Sequence, residues 1–266
     1  MTLPRIELNG AAASADDLRH LVQTNYGHFT AMRVEDGGVR GLDLHLDRLD
    51  AATRELFGTP LDRERVRAHL RHAIAGAREL ALRVNIFSRA LDREHLARAV
   101  EPDVLVIANA PRPASLEPLR LKSFVYTREA AALKHVGTFP LFHYRRLAQQ
   151  AGFDDALFAD NAGRISEGSI WNIGFIADDG VVWPEAPQLI GSSMQLLQAG
   201  LARAGIASTT RAIHLSELSQ FRTAFFANAS VPVRPIASID AHGFEIDENW
   251  LAQLRRCYES NPIQLV

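Results

Sequence analysis

Apolar and polar positions alternate in short stretches near the start of the chain. Residues 6–10 (IELNG) read as a strand ending in Asn9-Gly10, a strong turn pair because both residue types tolerate the left-handed backbone of a tight hairpin. Residues 28–43 (HFTAMRVEDGGVRGLD) set two alternating runs around Asp36-Gly37-Gly38, a second hairpin pattern. The period then lengthens. In LHLDRLDAATRELF (44–57), Leu46, Leu49, Ala52 and Leu56 recur at three- and four-residue intervals, which predicts a helix capped by Asp43 and ended by Gly58. Thr59-Pro60 opens a second predicted helix running to about residue 79, because proline in the first turn gives up an N–H that has no helical partner anyway. Strands are predicted at 81–88 and 103–109.

Residues 110–118 (APRPASLEP) hold three prolines and little hydrophobic period, the pattern of a linker. The expected division is an N-terminal α+β domain over 1–112, a linker at about 113–118 and a C-terminal domain over 119–266. In the second half, short strands at 120–127, 155–159, 164–167, 172–177 and 181–183 are separated by turns such as Asn161-Ala162-Gly163 and Asp178-Asp179-Gly180. Helices are predicted at 140–151, 192–204 and 247–258. Strands so closely spaced favour a barrel or strongly curved sheet over a doubly wound parallel one.

Composition narrows the function. With 266 residues, 47% of them hydrophobic, the chain has ample material for a core, and disorder is not expected. Formal charge is −2, so there is no basic excess to neutralise a phosphate backbone, and nucleic acid is not an expected partner. The lone cysteine, Cys257, cannot form an internal disulfide. The first ten residues lack a secretory pattern, and apolar runs such as 104–107 are too short to span a bilayer. A cytoplasmic protein without membrane association is expected. The ten histidines are scattered without acidic neighbours at ligand spacing, so no metal site is expected.

The basic residues are unusually biased: of 29, only Lys122 and Lys134 are lysine. A lysine can lose its proton and condense with an aldehyde, which arginine cannot. Lys134 lies in LKHVGTF between apolar neighbours, whereas Lys122 lies in an alternating strand and is expected to face solvent. RISEGSIWNIGF (164–175) sets Glu167 at a strand-to-turn position and Asn172 inside an apolar strand, where its amide needs a partner. In PQLIGSSMQLL (187–197), a glycine and two serines precede a helical pattern and form a candidate phosphate cup. AFFANASVPVRPI (224–236) ends a strand in another small-residue turn.

In order and spacing these segments resemble the class IV aminotransferases, the fold-type IV pyridoxal 5'-phosphate enzymes that include branched-chain and D-amino-acid aminotransferases and aminodeoxychorismate lyases. The likeness runs from IELNG through HFTAMRV (28–34), HLDRL (45–49), LKH (133–135), GFDDALFAD (152–160), SEGSIWN (166–172) and LIGSSMQLL (189–197) to ANASVPVRPI (227–236). The resemblance implies an α+β fold, with a smaller N-terminal α/β sandwich and a larger C-terminal pseudo-barrel with helices. It implies pyridoxal 5'-phosphate as cofactor, Lys134 as the Schiff-base lysine, and Glu167 as the carboxylate facing the pyridine nitrogen. Arg48, Ser192, Ser193, Asn228 and Ala229 are implied on the phosphate side, and Thr30 as a catalytic residue beside the substrate. It also implies a homodimer. The residues alone leave other readings open: Arg48 could pair with Asp47 or Glu55, the serines could be helix caps, and Asn228 could satisfy its own backbone.

The implied reaction moves an amino group between an amino acid or amine and a 2-oxo acid. Release of pyruvate from 4-amino-4-deoxychorismate, leaving 4-aminobenzoate, is the alternative; a non-catalytic cofactor-binding protein is a lesser one. Phe139 stands five residues after Lys134, where branched-chain enzymes have tyrosine. Met194 stands where many relatives have arginine, and NASVPVRPI (228–236) is closer to the lyase pattern. For the substrate pocket, Arg33, Arg83 and Arg89 are candidate carboxylate ligands because guanidinium suits bidentate contact. His28, Trp171 and Tyr144 are candidate wall residues.

Overall fold

The computed structural model describes residues 4–113 and 115–266. Two compact units emerge, one of residues 1–113, 133–137 and 262–266, the other of 114–132 and 138–261. The chain therefore does not part at a single linker. The segment carrying Lys134 and the last five residues both belong with the first unit, whereas sequence reasoning assigned them to the C-terminal domain.

In the first unit, β1 (Arg5–Leu8) turns into β2 (Ala11–Ala12) through Asn9 and Gly10, both at positive φ, as the turn pair requires. α1 (Ala15–Thr24), absent from the predicted helices, opens with a capping box between Ser14 and Asp17 and half-buries Leu18 and Leu21 against Leu8, Phe87 and Leu105. β3 (His28–Glu35) and β4 (Gly38–Arg40) form the second hairpin. α2 (Leu42–Phe57) begins two residues earlier than expected, with Gly41 rather than Asp43 as N-cap, and Asp43 lies in its first turn. α3 (Arg63–Ile74) starts at Asp62, not at Thr59-Pro60, because the Asp62 carboxylate accepts from Arg65 N at 3.0 Å and supplies a true cap. It ends at Ala75-Gly76, both at positive φ, short of residue 79. β5 (Leu80–Phe87) and β6 (Asp103–Asn109) follow.

The second unit runs through β7 (Leu119–Val125), α4 (Phe139–Gln150), β8 (Asp155–Ala159), β9 (Ile165–Gly168), β10 (Asn172–Ala177), β11 (Gly180–Pro184) and α5 (Ser192–Arg203). It continues with β12 (Ser208–Arg211), β13 (Thr223–Ala227), β14 (Arg234–Ile239), β15 (His242–Gly243) and α6 (Glu248–Glu259). β16 (Ile263–Leu265) returns to the first unit and pairs with β4.

The sheet of the first unit is antiparallel, in the order β16-β4-β3-β5-β6-β1-β2. Met32, Val34, Leu82, Val84 and Ile86 bury one face against Leu42, Leu46 and Leu49 of α2 and Val66 and Leu70 of α3. By strand alternation, His28 and Thr30 share that helix-covered face, while Phe29 and Arg83 point to the other. The second sheet runs β12-β11-β10-β13-β14-β7-β8-β9, with β15 beside β14. β9 is at one edge and β10 is third from the other, yet only residues 169–171 join them. A flat sheet could not close that distance, so this one curls into the barrel-like form expected. Among the described residues, no helix is long and apolar enough to cross a membrane.

Candidate active site

In the first unit, Lys134 is held by strand-like pairing. Phe29 N donates to Lys134 O and Val136 N donates to Gly27 O, each at 2.9 Å. The side chain is half-buried and brings Nζ to 5.0 Å from the centroid of the Phe29 ring. Arg83 also meets that ring, its guanidinium carbon 3.5 Å from the centroid, and its Nε donates to Asn85 Oδ1 at 3.0 Å. Burial pulls the Arg83 pKa below the ordinary arginine range, and no carboxylate pairs with it among the described residues. One aromatic ring thus meets two basic side chains.

The helix-covered face carries a hydrogen-bonded cluster. The Arg48 guanidinium donates to Thr30 Oγ1 and, at 3.3 Å, to His45 Nδ1. Thr30 Oγ1 lies 2.7 Å from the same Nδ1. With Nδ1 accepting from Arg48, the Thr30 hydroxyl proton also goes to Nδ1, which puts the imidazole proton on Nε2. Burial, then the charges of Arg48 and Lys134, hold the His45 pKa well below the usual histidine range, so the ring is neutral. Asp47, the other partner open to Arg48 from sequence, pairs with Arg63. His45 went unnoticed in HLDRL although it stands three residues before Arg48, the spacing that puts both on one helix face.

Other candidates have structural partners. His28 Nε2 is 3.0 Å from Thr53 Oγ1, and its ring lies beside Phe57, which puts it in the packing between β3 and α2. Arg33 pairs with Glu35 at 3.4 Å, and Arg89 with Asp17 and Asp103. Tyr144 packs among Phe124, Tyr126 and Phe158.

In the second unit, Glu167 sits near the end of β9, 4% exposed, with the equally enclosed Arg128 guanidinium 3.5 Å away. Arg128 was not foreseen, since nothing local connects positions so far apart in sequence. The turn after Glu167 is anchored by Asp155, whose carboxylate accepts from Ser169 Oγ at 2.7 Å, Trp171 Nε1 at 2.9 Å and both Nε and Nη2 of Arg145. Trp171 also packs on Phe226, with ring centroids 5.0 Å apart. The signal for Asp155 was present: a carboxylate opening the apolar strand DALFA has to be satisfied internally.

Ser192 and Ser193 open α5, whose N-cap Gly191 provides no side-chain cap. Both are buried, and Ser193 Oγ has no hydrogen-bond partner among the described residues. A buried hydroxyl beside the N-terminal amides of a helix suits a phosphate, which offers acceptors to both. Asn228 Oδ1 accepts from Ser230 N at 2.9 Å and Val231 N at 2.8 Å, shaping the turn that includes Ala229. The structure thus brings together Thr30, His45 and Arg48, and Lys134 and Arg83 around Phe29, in one unit. In the other it brings together Glu167 with Arg128, and Trp171 with Asp155. No group of three or more His, Cys, Asp or Glu side chains is arranged to hold a metal ion among the described residues.

Among solved structures, the chain is similar to a branched-chain aminotransferase from the archaeon Thermoproteus uzoniensis, solved with norvaline: TM-score 0.81, 19% identity, 95% of this chain and 94% of that one. It is also similar to a candidate 4-amino-4-deoxychorismate lyase from Legionella pneumophila: TM-score 0.80, 19% identity, 91% of this chain and 93% of that one. A hypothetical aminotransferase from Mycobacterium tuberculosis, in its PLP-bound form, gives TM-score 0.80 at 19% identity over 96% and 99% of the two chains. No curated protein sequence matches significantly. The sequence profile of the amino-transferase class IV family matches residues 27–239, most of the chain, and the protein belongs to the class IV aminotransferase family of enzymes.

Proposed function

We propose that the protein is a pyridoxal-phosphate-dependent aminotransferase that moves an amino group between an amino acid or amine and a 2-oxo acid. The observation that carries this reading is the placement of Lys134: in a family whose profile spans most of the chain, this lysine is half-buried against Phe29, within electrostatic reach of buried His45. When bound, pyridoxal phosphate supplies a reactive aldehyde and an electron-withdrawing ring. The buried hydroxyl of Ser193 at the start of α5 fits its phosphate.

In this reading Lys134 Nζ would hold the cofactor through its aldehyde, and the same amine would serve as the base and acid that moves a proton at the substrate carbon. Glu167 would face the ring nitrogen, and Arg128, 3.5 Å away, orients its carboxylate. The phosphate is assigned to Arg48, the first turn of α5 and the Asn228-Ala229 turn. His45 and Thr30 set the Arg48 guanidinium, because neutral His45 can accept from it without competing for an anion. Arg83 receives the substrate carboxylate, since a desolvated guanidinium without an acidic partner gains most from one. His28, Arg33 and Trp171, expected at the substrate, are instead given supporting roles because each has a partner inside its own unit.

Release of pyruvate from 4-amino-4-deoxychorismate is the second reading. It is favoured by Phe139, which is 76% exposed and has no hydroxyl to offer the cofactor. A homodimer in the cytoplasm completes the proposal; Phe139 and Phe142, both exposed on α4, are apolar surface that a second subunit would cover.

The test is direct. Purified protein given pyridoxal phosphate develops visible absorbance that Lys134→Ala abolishes, and amino donors are turned over with pyruvate or 2-oxoglutarate. Formation of 4-aminobenzoate without turnover of either oxo acid would replace the first reading by the second. Absence of a Lys134-dependent colour would remove both.

A further inference from the structure

Asn172 stands first in β10, 4% exposed, where an apolar residue would be the ordinary occupant. Its Nδ2 donates to Leu189 O at 2.8 Å and to Gln188 Oε1 at 3.1 Å, and its Oδ1 accepts from Gly191 N at 3.1 Å. Gln188, itself 6% exposed, donates from Nε2 to Pro184 O at 2.6 Å. The amide can sit only one way round, because reversal would oppose donor to donor at Gly191 and acceptor to acceptor at Leu189. All three of these side-chain bonds go to 188–191, the segment that leads into α5.

Gly191 is the residue from which α5 departs. A Cβ there would lie 2.3 Å from Asn172 Oδ1, so the contact requires glycine. The next residues are Ser192 and Ser193, whose amides belong to the first helical turn and have no acceptor within the helix. The buried Ser193 hydroxyl is likewise without a partner among the described residues. The direction of these donors is therefore set from outside the helix, by a side chain on a neighbouring strand.

We infer that Asn172 is a positioning residue for anion recognition: by fixing Gly191 it aims the first turn of α5, and so makes the protein select the phosphorylated over the unphosphorylated aldehyde cofactor. The inference rests on the proposed function. Asn172 acts through residues 188–191, and the aldehyde end of the cofactor is held elsewhere, at Lys134. Disturbing Asn172 should weaken the hold on phosphate while sparing the carbonyl chemistry.

Full-length wild-type protein, Asn172→Ala and Gly191→Ala, stripped of cofactor, are titrated separately with pyridoxal 5'-phosphate and with pyridoxal, following visible absorbance. The expected result is a fall of roughly tenfold in the preference for the phosphate ester in both variants, with pyridoxal affinity within about twofold of wild type. Gly191→Ala probes the same contact from its other side, without deleting a buried amide. An unchanged preference, or a parallel loss of both affinities from general loosening of the fold, would overturn the inference and leave the proposed function intact. Wild-type protein that takes up neither aldehyde would overturn both.

Discussion

Acidification tests the packing around α2. His28 is 1% exposed, and its Nε2 faces Thr53 Oγ1, whose only proton goes to Leu49 O at 2.8 Å. Nε2 is therefore the donor and Nδ1 carries the lone pair. A second proton would make a cation in a packed interior close to Arg48; burial first, and that charge second, push the pKa down to about 3 from 6.5. Between these values the unfolded chain binds the proton and the native ring does not, so the stability lent by the neutral ring is complete above the unfolded pKa. It is lost as pH falls through the window. One proton is worth about 1.4 kcal/mol per pH unit, so lowering the pH from 6.5 to about 5 costs about 2 kcal/mol through His28. His45, with its pKa also depressed, adds a second contribution of the same sign. Urea unfolding at several pH values from about 7.5 to about 5, on wild type and on His28→Gln, measures this. The variant should show a pH slope shallower by about 1.4 kcal/mol per unit below pH 6.5. Equal slopes would mean that His28 titrates alike in the folded and unfolded chains, and the assignment of a buried neutral ring would be wrong.

Further outcomes follow from the same geometry. Arg83→Met should raise KM for 2-oxo acids by roughly a hundredfold with little change for amine substrates lacking a carboxylate, as steady-state kinetics would reveal. Asp155→Ala leaves Arg145, Ser169 and Trp171 without their common acceptor and should cost about 3–5 kcal/mol of unfolding free energy in urea. Gly200→Ala puts a Cβ 2.0 Å from Cys257 O, backbone that cannot swing aside, so α5 and α6 must separate. Thermal unfolding should report a loss of about 1–3 kcal/mol.

Much of the framework was legible in the chain. The alternation of 28–40 and the turn residues Asp36-Gly37 specify a hairpin because each requirement is local: a side-chain period and a backbone conformation. The period of 44–57 likewise located α2, but not its first residue, since Gly41 and Asp43 are both acceptable caps and only the hairpin just before the helix decides between them. α1 escaped because its apolar face is carried by only two half-buried leucines, Leu18 and Leu21, too few to state a period across the helix. Where Lys134 stands was not a local matter: residues 133–137 join the first unit by pairing with 27–29, and no pattern in LKHVGTF states that partnership.

The residue types suited to aldehyde and phosphate chemistry, and their order along the chain, were set by the sequence itself, since chemical capacity belongs to the side chain and is carried wherever the side chain goes. Which of those residues keep their capacity was decided by tertiary structure. Arg89, in the turn after β5, is consumed by Asp17 and Asp103, while Arg83 within β5 is stripped of water and left without an acid among the described residues. Asn172 is aimed at Gly191 and Glu167 is set beside Arg128. Reactivity depends on solvation, charge and direction, and those are properties of a residue's neighbours in space, most of which lie far from it in the chain.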